Sequence, residues 1–453
     1  MLSSHKYITT VPFSGLFNWS VQYLNETKIS FNATYPMVRI GDFLMRNKTQ
    51  ILIQDDVTYK RVTIRVRNGG VVKRDEVEGK NIGTKRQYLV SEGQFILSKI
   101  DARNGAMGII PAELEGAIVT QEFLPYDFDL RKINPQYLVL VSTTQEFIEF
   151  CQTCSSGTTN RQRIEEVKFL DIKIPLPSLE EQNELVNAYN TLITLAAEQE
   201  ALATHLQSDI QTYIYDKLGL SKSKDTNNKG LKLVSYRDIQ EWGTDKIVNS
   251  SNFSSKLFNA ISLEQSPNLV IDAFRGKSPK YDTNSLKSIL NQKCVRWNSI
   301  EVVWAKSVNE KWLSNIDDKF LTKYGDILVN STGEGTIGRS SIVKEKYAGL
   351  LYDSHVLLLR LDSDMLNPNY YVEVFNSEYG QCQVNSIKSA QTTKQTELGI
   401  NNLLKIKVPL PSIQIQNEIV EHINSLKEQI KTLRTQATEN RSTALKNFKQ
   451  KIF

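Results

Sequence analysis

The segment Ile174-Pro175-Leu176-Pro177-Ser178-Leu179-Glu180-Glu181-Gln182-Asn183-Glu184 returns as Val408-Pro409-Leu410-Pro411-Ser412-Ile413-Gln414-Ile415-Gln416-Asn417-Glu418. A period of roughly 234 residues is too long for a solenoid repeat and marks two copies of a whole domain. Any fold for this chain therefore has to be built twice. Other landmarks keep the same order. Gly93-Gln94-Phe95-Ile96-Leu97 pairs with Gly325-Asp326-Ile327-Leu328-Val329, and Gly105-Ala106-Met107-Gly108 with Gly335-Thr336-Ile337-Gly338. Ile133-Asn134-Pro135-Gln136-Tyr137 pairs with Leu366-Asn367-Pro368-Asn369-Tyr370. Residues 1 to 90 share little with 231 to 320, so one frame carries two different faces.

A chain of 453 residues accommodates two or three domains with full cores. Apolar runs such as Val356-Leu357-Leu358-Leu359 fall far short of the roughly 20 residues needed to span a bilayer. The stretch Met1 to Tyr7 lacks the basic region and apolar core of a signal peptide, which points to the cytoplasm. Four cysteines make no disulfide framework and fit a reducing compartment. Cys151 and Cys154 form one C-x-x-C, but no second pair or histidine cluster completes a tetrahedral site, so no metal is expected.

After each Pro-Leu-Pro-Ser the pattern becomes that of a long helix, with Ser178 or Ser412 as N-cap and the prolines setting the boundary. Steps of four and three from Leu185 reach Tyr189, Leu192, Ala196, Gln199, Ala203, Leu206, Ile210 and Tyr213. The same count from Ile419 reaches Ile423, Leu426, Ile430, Leu433, Ala437, Asn440, Ala444 and Asn447. Each helix runs for about 40 residues, or roughly 60 Å, and its apolar stripe needs a partner. An antiparallel pairing matches volumes: Ala437, Asn440 and Ala444 then face Leu185, Tyr189 and Leu192, while Ala196, Gln199 and Ala203 face the bulky stretch. The alternative is that each helix packs on its own domain.

Charge is distributed unevenly. Tyr59 to Arg67 reads as a half-buried strand, with Val62, Ile64 and Val66 alternating with Arg61, Thr63, Arg65 and Arg67. Lys60, Lys73, Arg74, Lys85 and Arg86 lie around it, and acids are scarcer, chiefly Asp75, Glu76 and Glu78. A strand face of arginines suits phosphate neutralisation or base-edge reading; the plainer alternative is a solvated surface. In the second half the candidates are Arg275, Lys277, Ser278, Lys280 and Tyr281, in a loop whose backbone N–H groups and cations could approach a phosphate. A polar loop with Arg161 and Arg163 precedes the first Pro-Leu-Pro, and one with Gln391, Thr392 and Lys394 precedes the second.

Several apparent catalytic motifs fail on context. Gly333-Glu334-Gly335-Thr336-Ile337-Gly338 fits G-x-G-x-x-G but is followed by a strand-like segment instead of a helix, so a tight turn is the better reading. Gly276-Lys277-Ser278 has Ile271 where a phosphate-binding loop needs its first glycine. The two Asn-Pro-x-Tyr segments lack the second proline of adenine methyltransferases and suit helix entry. No nuclease carboxylate cluster is evident and only four histidines occur, so no catalytic residue is assigned.

The paired I/V-P-L-P-S-x-x-x-Q-N-E signatures, each opening a long helix after a variable half, resemble the specificity subunit of type I restriction-modification systems. Gly93 to Leu97, Gly325 to Val329, both Asn-Pro-x-Tyr segments and the Gly276 to Tyr281 loop also look like landmarks of that family, and the resemblance spans essentially the whole chain. The first half departs from it in lacking a Gly-x-x-P loop near its start. The resemblance implies an α+β chain with two α/β target recognition domains in tandem, separated by two long antiparallel coiled-coil helices as a pseudo-two-fold internal repeat. The expected divisions are a first domain over 1–177, a central helix over 178–220, a linker over 221–230, a second domain over 231–411 and a distal helix over 412–453. It also implies binding to double-stranded DNA with a bipartite target and assembly with two modification subunits and with restriction subunits. This chain would bind no cofactor; S-adenosylmethionine, ATP and Mg belong to the partners. Two other classes stay open: a stand-alone methyltransferase or nuclease with unfamiliar motifs, and a coiled-coil adaptor that binds no DNA.

Overall fold

Each half is built on one four-stranded antiparallel sheet. In the first half the spatial order is Leu44–Arg46, Phe123–Phe128, Phe95–Ser98 and Met107–Ile109. In the second it is Val270–Arg275, Val356–Leu361, Ile327–Asn330 and Ser340–Ile342. The computed structural model describes residues 35–156, 163–222, 253–333, 335–387, 389–390 and 396–452.

The central strands Phe95–Ser98, Ile327–Asn330 and Val356–Leu361 read as nearly continuous apolar runs because both faces are covered. In the first half Phe95 and Leu97 join Tyr137, Leu138, Val141 and Phe147 in one core, while Ile96, on the opposite face, packs with Val62, Ile64 and Val90 in another. The second half repeats the division. Ile327, Val329, Leu357 and Leu359 pack on Tyr370, Tyr371 and Phe375, and Leu328, Val356 and Leu358 pack on Leu290, Cys294 and Val295. The frame is common, and the halves part company on the second face. There the first half carries a five-stranded sheet, and the second a three-stranded sheet and a short hairpin, Val295–Arg296 with Ser299–Ile300.

Register corrects two expectations. Leu97 pairs with Met107 and Val329 with Ser340, so Gly105 corresponds to Gly338 and not to Gly335. Both glycines are left-handed, at φ 76° and 79°. The strand expected over Tyr59 to Arg67 is Thr58–Ile64, with a bulge between Arg61 and Val62. Its alternation ends at Ile64, because Arg67 and Asn68 adopt φ 57° and 55° to turn the chain into Val71–Glu78.

The recurring motifs lock frame to helix. Gln182, fully buried, donates through Nε2 to Lys132 O (3.0 Å) and Pro177 O (2.9 Å) and accepts from Asn134 N (2.8 Å). Gln416, equally buried, donates to Met365 O (3.3 Å) and Pro411 O (2.9 Å) and accepts from Asn367 N (2.8 Å). Asn134 and Asn367 donate to Asn183 and Asn417, each at 2.7 Å, and cap the helices Pro135–Ser142 and Pro368–Asn376. Tyr137 and Tyr370 donate to Pro175 O and Pro409 O at 2.7 Å. Burial pushes both phenols well up, so they remain donors. The Asn-Pro-x-Tyr, Pro-Leu-Pro and Gln-Asn segments are thus parts of one hydrogen-bonded joint, made twice.

That joint leads into the helices Leu179–Leu218 and Ile413–Ile452, 40 residues each. Ser178 and Glu181 form a reciprocal capping box, Glu181 N to Ser178 Oγ at 3.3 Å and Ser178 N to Glu181 Oε2 at 2.9 Å. The chain divides into two compact units, Met1–Gln199 with Thr435–Phe453, and Glu200–Arg434. In the first, Gln199 bonds Gln436 (3.2 Å) and Asn440 (2.9 Å), and Val186 shares a core with Phe448 and Ile452. In the second, Glu200 pairs with Arg434 at 3.6 Å, Tyr213 stacks on His422 at 4.0 Å, and Ile210 shares a core with Ile419 and Ile423. Numbers rise along one helix as they fall along the other, so the two pack antiparallel.

Leu185, Tyr189, Leu192, Leu206, Leu426 and Leu433 are half-buried along this pair, and Ile210, Ile419, Ile423 and Ile430 are buried. Two details differ from the heptad count. Asn447 is exposed and Phe448 takes its place, followed by Ile452, because the helix end packs into the first half's core with a spacing of four. The Gln199 to Gln436 register also sets Ala196 opposite the Ala437 to Asn440 stretch, not opposite bulky residues. The middle of the seam is therefore small and polar.

Candidate nucleic-acid interface

The cations of the first half do not form an unopposed face. Strand pairing sets Lys60 across from Glu76 and Arg61 across from Asp75. Arg61 holds Asp75 through two hydrogen bonds of 2.7 Å, a bidentate pair that keeps the Asp75 carboxyl below its usual range. Lys60 donates to Glu113 O (3.0 Å) and Lys73 meets Glu76 at 3.2 Å. Arg74 lies 3.7 Å from Asp75, and Lys85 bonds Asp55 at 2.5 Å and Gly79 O at 2.7 Å. Arg163 binds Glu122 at 2.9 and 3.3 Å. Three exposed arginines of the set, Arg65, Arg67 and Arg86, have no side-chain partner among the described residues.

In the second half the glycine of the cationic loop serves the fold. A Cβ at Gly276 would sit 2.0 Å from Asp353 O, so only glycine permits this approach of two backbones. The N–H groups of Gly276 and Lys277 already donate to Val356 O (3.0 Å) and Tyr352 O (3.3 Å), which removes them as phosphate ligands. Arg275 bonds Glu397 and Ser354 O, and Lys277 lies 4.0 Å from the Phe320 ring centroid. Lys306 covers the ring of Tyr281 at 4.9 Å. Ser278 and Lys280 are exposed. Arg161, Gln391, Thr392 and Lys394 lie outside the described residues.

Sequence reading passed over a second group. Trp297 is 45% exposed at the tip of the short hairpin, with the Arg339 guanidinium 5.9 Å from its ring centroid. Its only advance signal was the turn-forming Asn298 beside it. Leu195 and Leu202, one heptad apart on the central helix, remain 41% and 48% exposed.

The glycine-rich segment closes a turn between the strands Ile327–Asn330 and Ser340–Ile342, with Gly333, Gly335 and Gly338 all at positive φ. Burial pushes the Cys154 thiol up to about 11 and raises Cys151 as well. Among the described residues no cluster of His, Cys, Asp or Glu is arranged to hold a metal. No helix among them is long and apolar enough to cross a membrane.

A duplicated recognition frame mounted on a pair of long antiparallel helices is the class of protein this geometry defines. The type I restriction modification DNA specificity domain matches residues 23–204 and 283–440. The chain belongs to that family and is the specificity subunit of a type I restriction-modification system. Neither an unfamiliar enzyme nor a non-DNA adaptor is favoured.

Among solved structures, a chain described under "Structural basis underlying complex assembly and conformational transition of the type I R-M system" is 16% identical, with a TM-score of 0.55 over 93% of this chain and 97% of that one. The HsdS subunit from Thermoanaerobacter tengcongensis is 15% identical, with a TM-score of 0.48 over 94% and 97%. The S subunit from M. genitalium is 12% identical, with a TM-score of 0.46 over 93% and 98%. No curated protein matches.

Proposed function

We propose that this specificity subunit reads a bipartite duplex DNA target, one globular half to each half-site, and catalyses nothing itself. The observation that carries the reading is the duplicated frame, alike in its joint and in the order of its sheet and different in the face it presents. Two different faces on one frame suit two different short sequences. Contacts are proposed through the cations and polar loops named above, with Arg65, Arg67 and Arg86 the best placed of the first half. Two modification subunits would supply S-adenosylmethionine and the methyl transfer, and restriction subunits would add ATP- and Mg-dependent cleavage, all in the cytoplasm. A footprint of the assembled complex on its target is expected to show two protected clusters separated by an unprotected gap. A single contiguous cluster would contradict the bipartite reading.

The exposed Leu195 and Leu202 support a role for the central helix in holding a partner subunit, because aliphatic residues at heptad spacing suit a further helix. Leu195→Asp with Leu202→Asp is expected to abolish co-purification with the modification subunit while leaving the chain's melting temperature within a few degrees. Unchanged co-purification would remove this surface from the assembly.

A further inference from the structure

Both halves end a hairpin in a left-handed asparagine whose N–H is clamped on the segment that enters the last strand of the shared frame, at Gly105 in the first half and two positions further on, at Ser340, in the second. In the first half, Arg67 N donates to Asn104 O (2.7 Å) and Asn68 N to Gly105 O (3.0 Å), with Asn68 at φ 55°. In the second, Asn298, at φ 58°, donates to Ser340 O (3.0 Å), and its side chain accepts from Asn376 Nδ2 (2.7 Å). Residues other than glycine rarely adopt this conformation and hold it only where the surroundings enforce it. The residue before each asparagine is thus presented on a rigid support, Arg67 in one half and Trp297 in the other.

Each half sets one guanidinium at or beside its tip, but on different elements. Ser98 N bonds Ala106 O (3.0 Å) where Asn330 N bonds Arg339 O (2.9 Å), so Arg339 stands at the position of Ala106. Where the first half has its guanidinium on the tip itself, the second has an indole on the tip and the guanidinium beside it from the turn. The Arg275 to Tyr281 loop has less to offer, since its N–H groups and Lys277 are already engaged.

We propose that these tips are the sequence-determining contacts, with Arg67 in one half-site and the Trp297–Arg339 platform in the other. Arg67, and Arg339 through its Nη1 end since its Nη2 already donates to Gly335 O (2.8 Å), donate to a guanine edge in the major groove, and Trp297 packs against the exposed edge of the neighbouring base. A planar fork matched to O6 and N7 is the commonest specific arginine contact. The inference rests on the bipartite reading above.

The test is made with the assembled complex, by methylome sequencing of the host and by competition binding against targets altered in either half-site. Arg339→Lys keeps the charge and removes the fork. It and Trp297→Ala are each expected to lower discrimination in one half-site by about fivefold or more and to leave the other unchanged. Arg67→Lys is expected to do the same in the opposite half-site. Wild-type discrimination in Arg339→Lys and Arg67→Lys would reduce these residues to phosphate contacts and overturn the proposal, as would loss at both half-sites from one variant. Failure of the wild-type complex to methylate any bipartite sequence would instead refute the underlying reading.

Discussion

Replacing Arg360 by methionine is expected to destabilise the second unit by about 3–5 kcal/mol, seen as a lower urea midpoint in unfolding. Arg360 is 9% exposed and lies between two carboxylates, bonding Asp326 at 2.7 and 2.8 Å and Asp272 at 2.6 Å. Asp326 is 1% exposed, so without the guanidinium a buried charge is left unopposed. The first half shows that the frame does not need this pair. At the equivalent positions Gln94 donates to Asp127 at 2.7 Å, and each half uses the residue before the strand to accept a backbone N–H, Ser91 N on Gln94 and Lys323 N on Asp326. The double change Asp326→Asn with Arg360→Gln, which keeps acceptors and removes both charges, is therefore expected to recover about half of the loss or more. If the double variant is less stable than Arg360→Met alone, charge burial is not the cause.

Removing the joint should cost nearly as much. Gln416→Leu leaves Asn367 N, Met365 O and Pro411 O without their partner in a site closed to water. At about 1–3 kcal/mol for each buried group left unpaired, a total of about 2–5 kcal/mol is expected once local relaxation is allowed. Gln182→Leu should cost a similar amount in the first unit, because the three bonds are the same in kind. Amide exchange at Asn367 and Asn134 should accelerate in the matching variant only. A change below about 0.5 kcal/mol in either variant would show that the joint is not rigidly held.

The repeated frame was legible because its residues are constrained twice. Pro-Leu-Pro, Gln-Asn and Asn-Pro-x-Tyr recur since each supplies one side of the same buried hydrogen-bonded joint, and a buried polar group cannot change without its partners. The long helices were legible from their heptads, although the step to Phe448 was missed where the seam turns into a domain core. The variable faces were harder to read. Alternation along Tyr59 to Arg67 suggested a row of free arginines, but the bulge after Arg61 and the cross-strand Asp75 are tertiary facts that alternation cannot carry. Trp297 escaped notice because its importance depends on Asn298 and Ser340 meeting across the fold.

The amides at the middle of the helix pair carry a consequence of their own. Apolar heptads tolerate sliding, since a leucine displaced by seven residues usually meets another leucine. Gln199 bonded to Gln436 and Asn440, between Ala196 and Ala437, removes that freedom. A one-heptad slip would strand these amides against aliphatic neighbours, so polar chemistry fixes how far the two helices overlap.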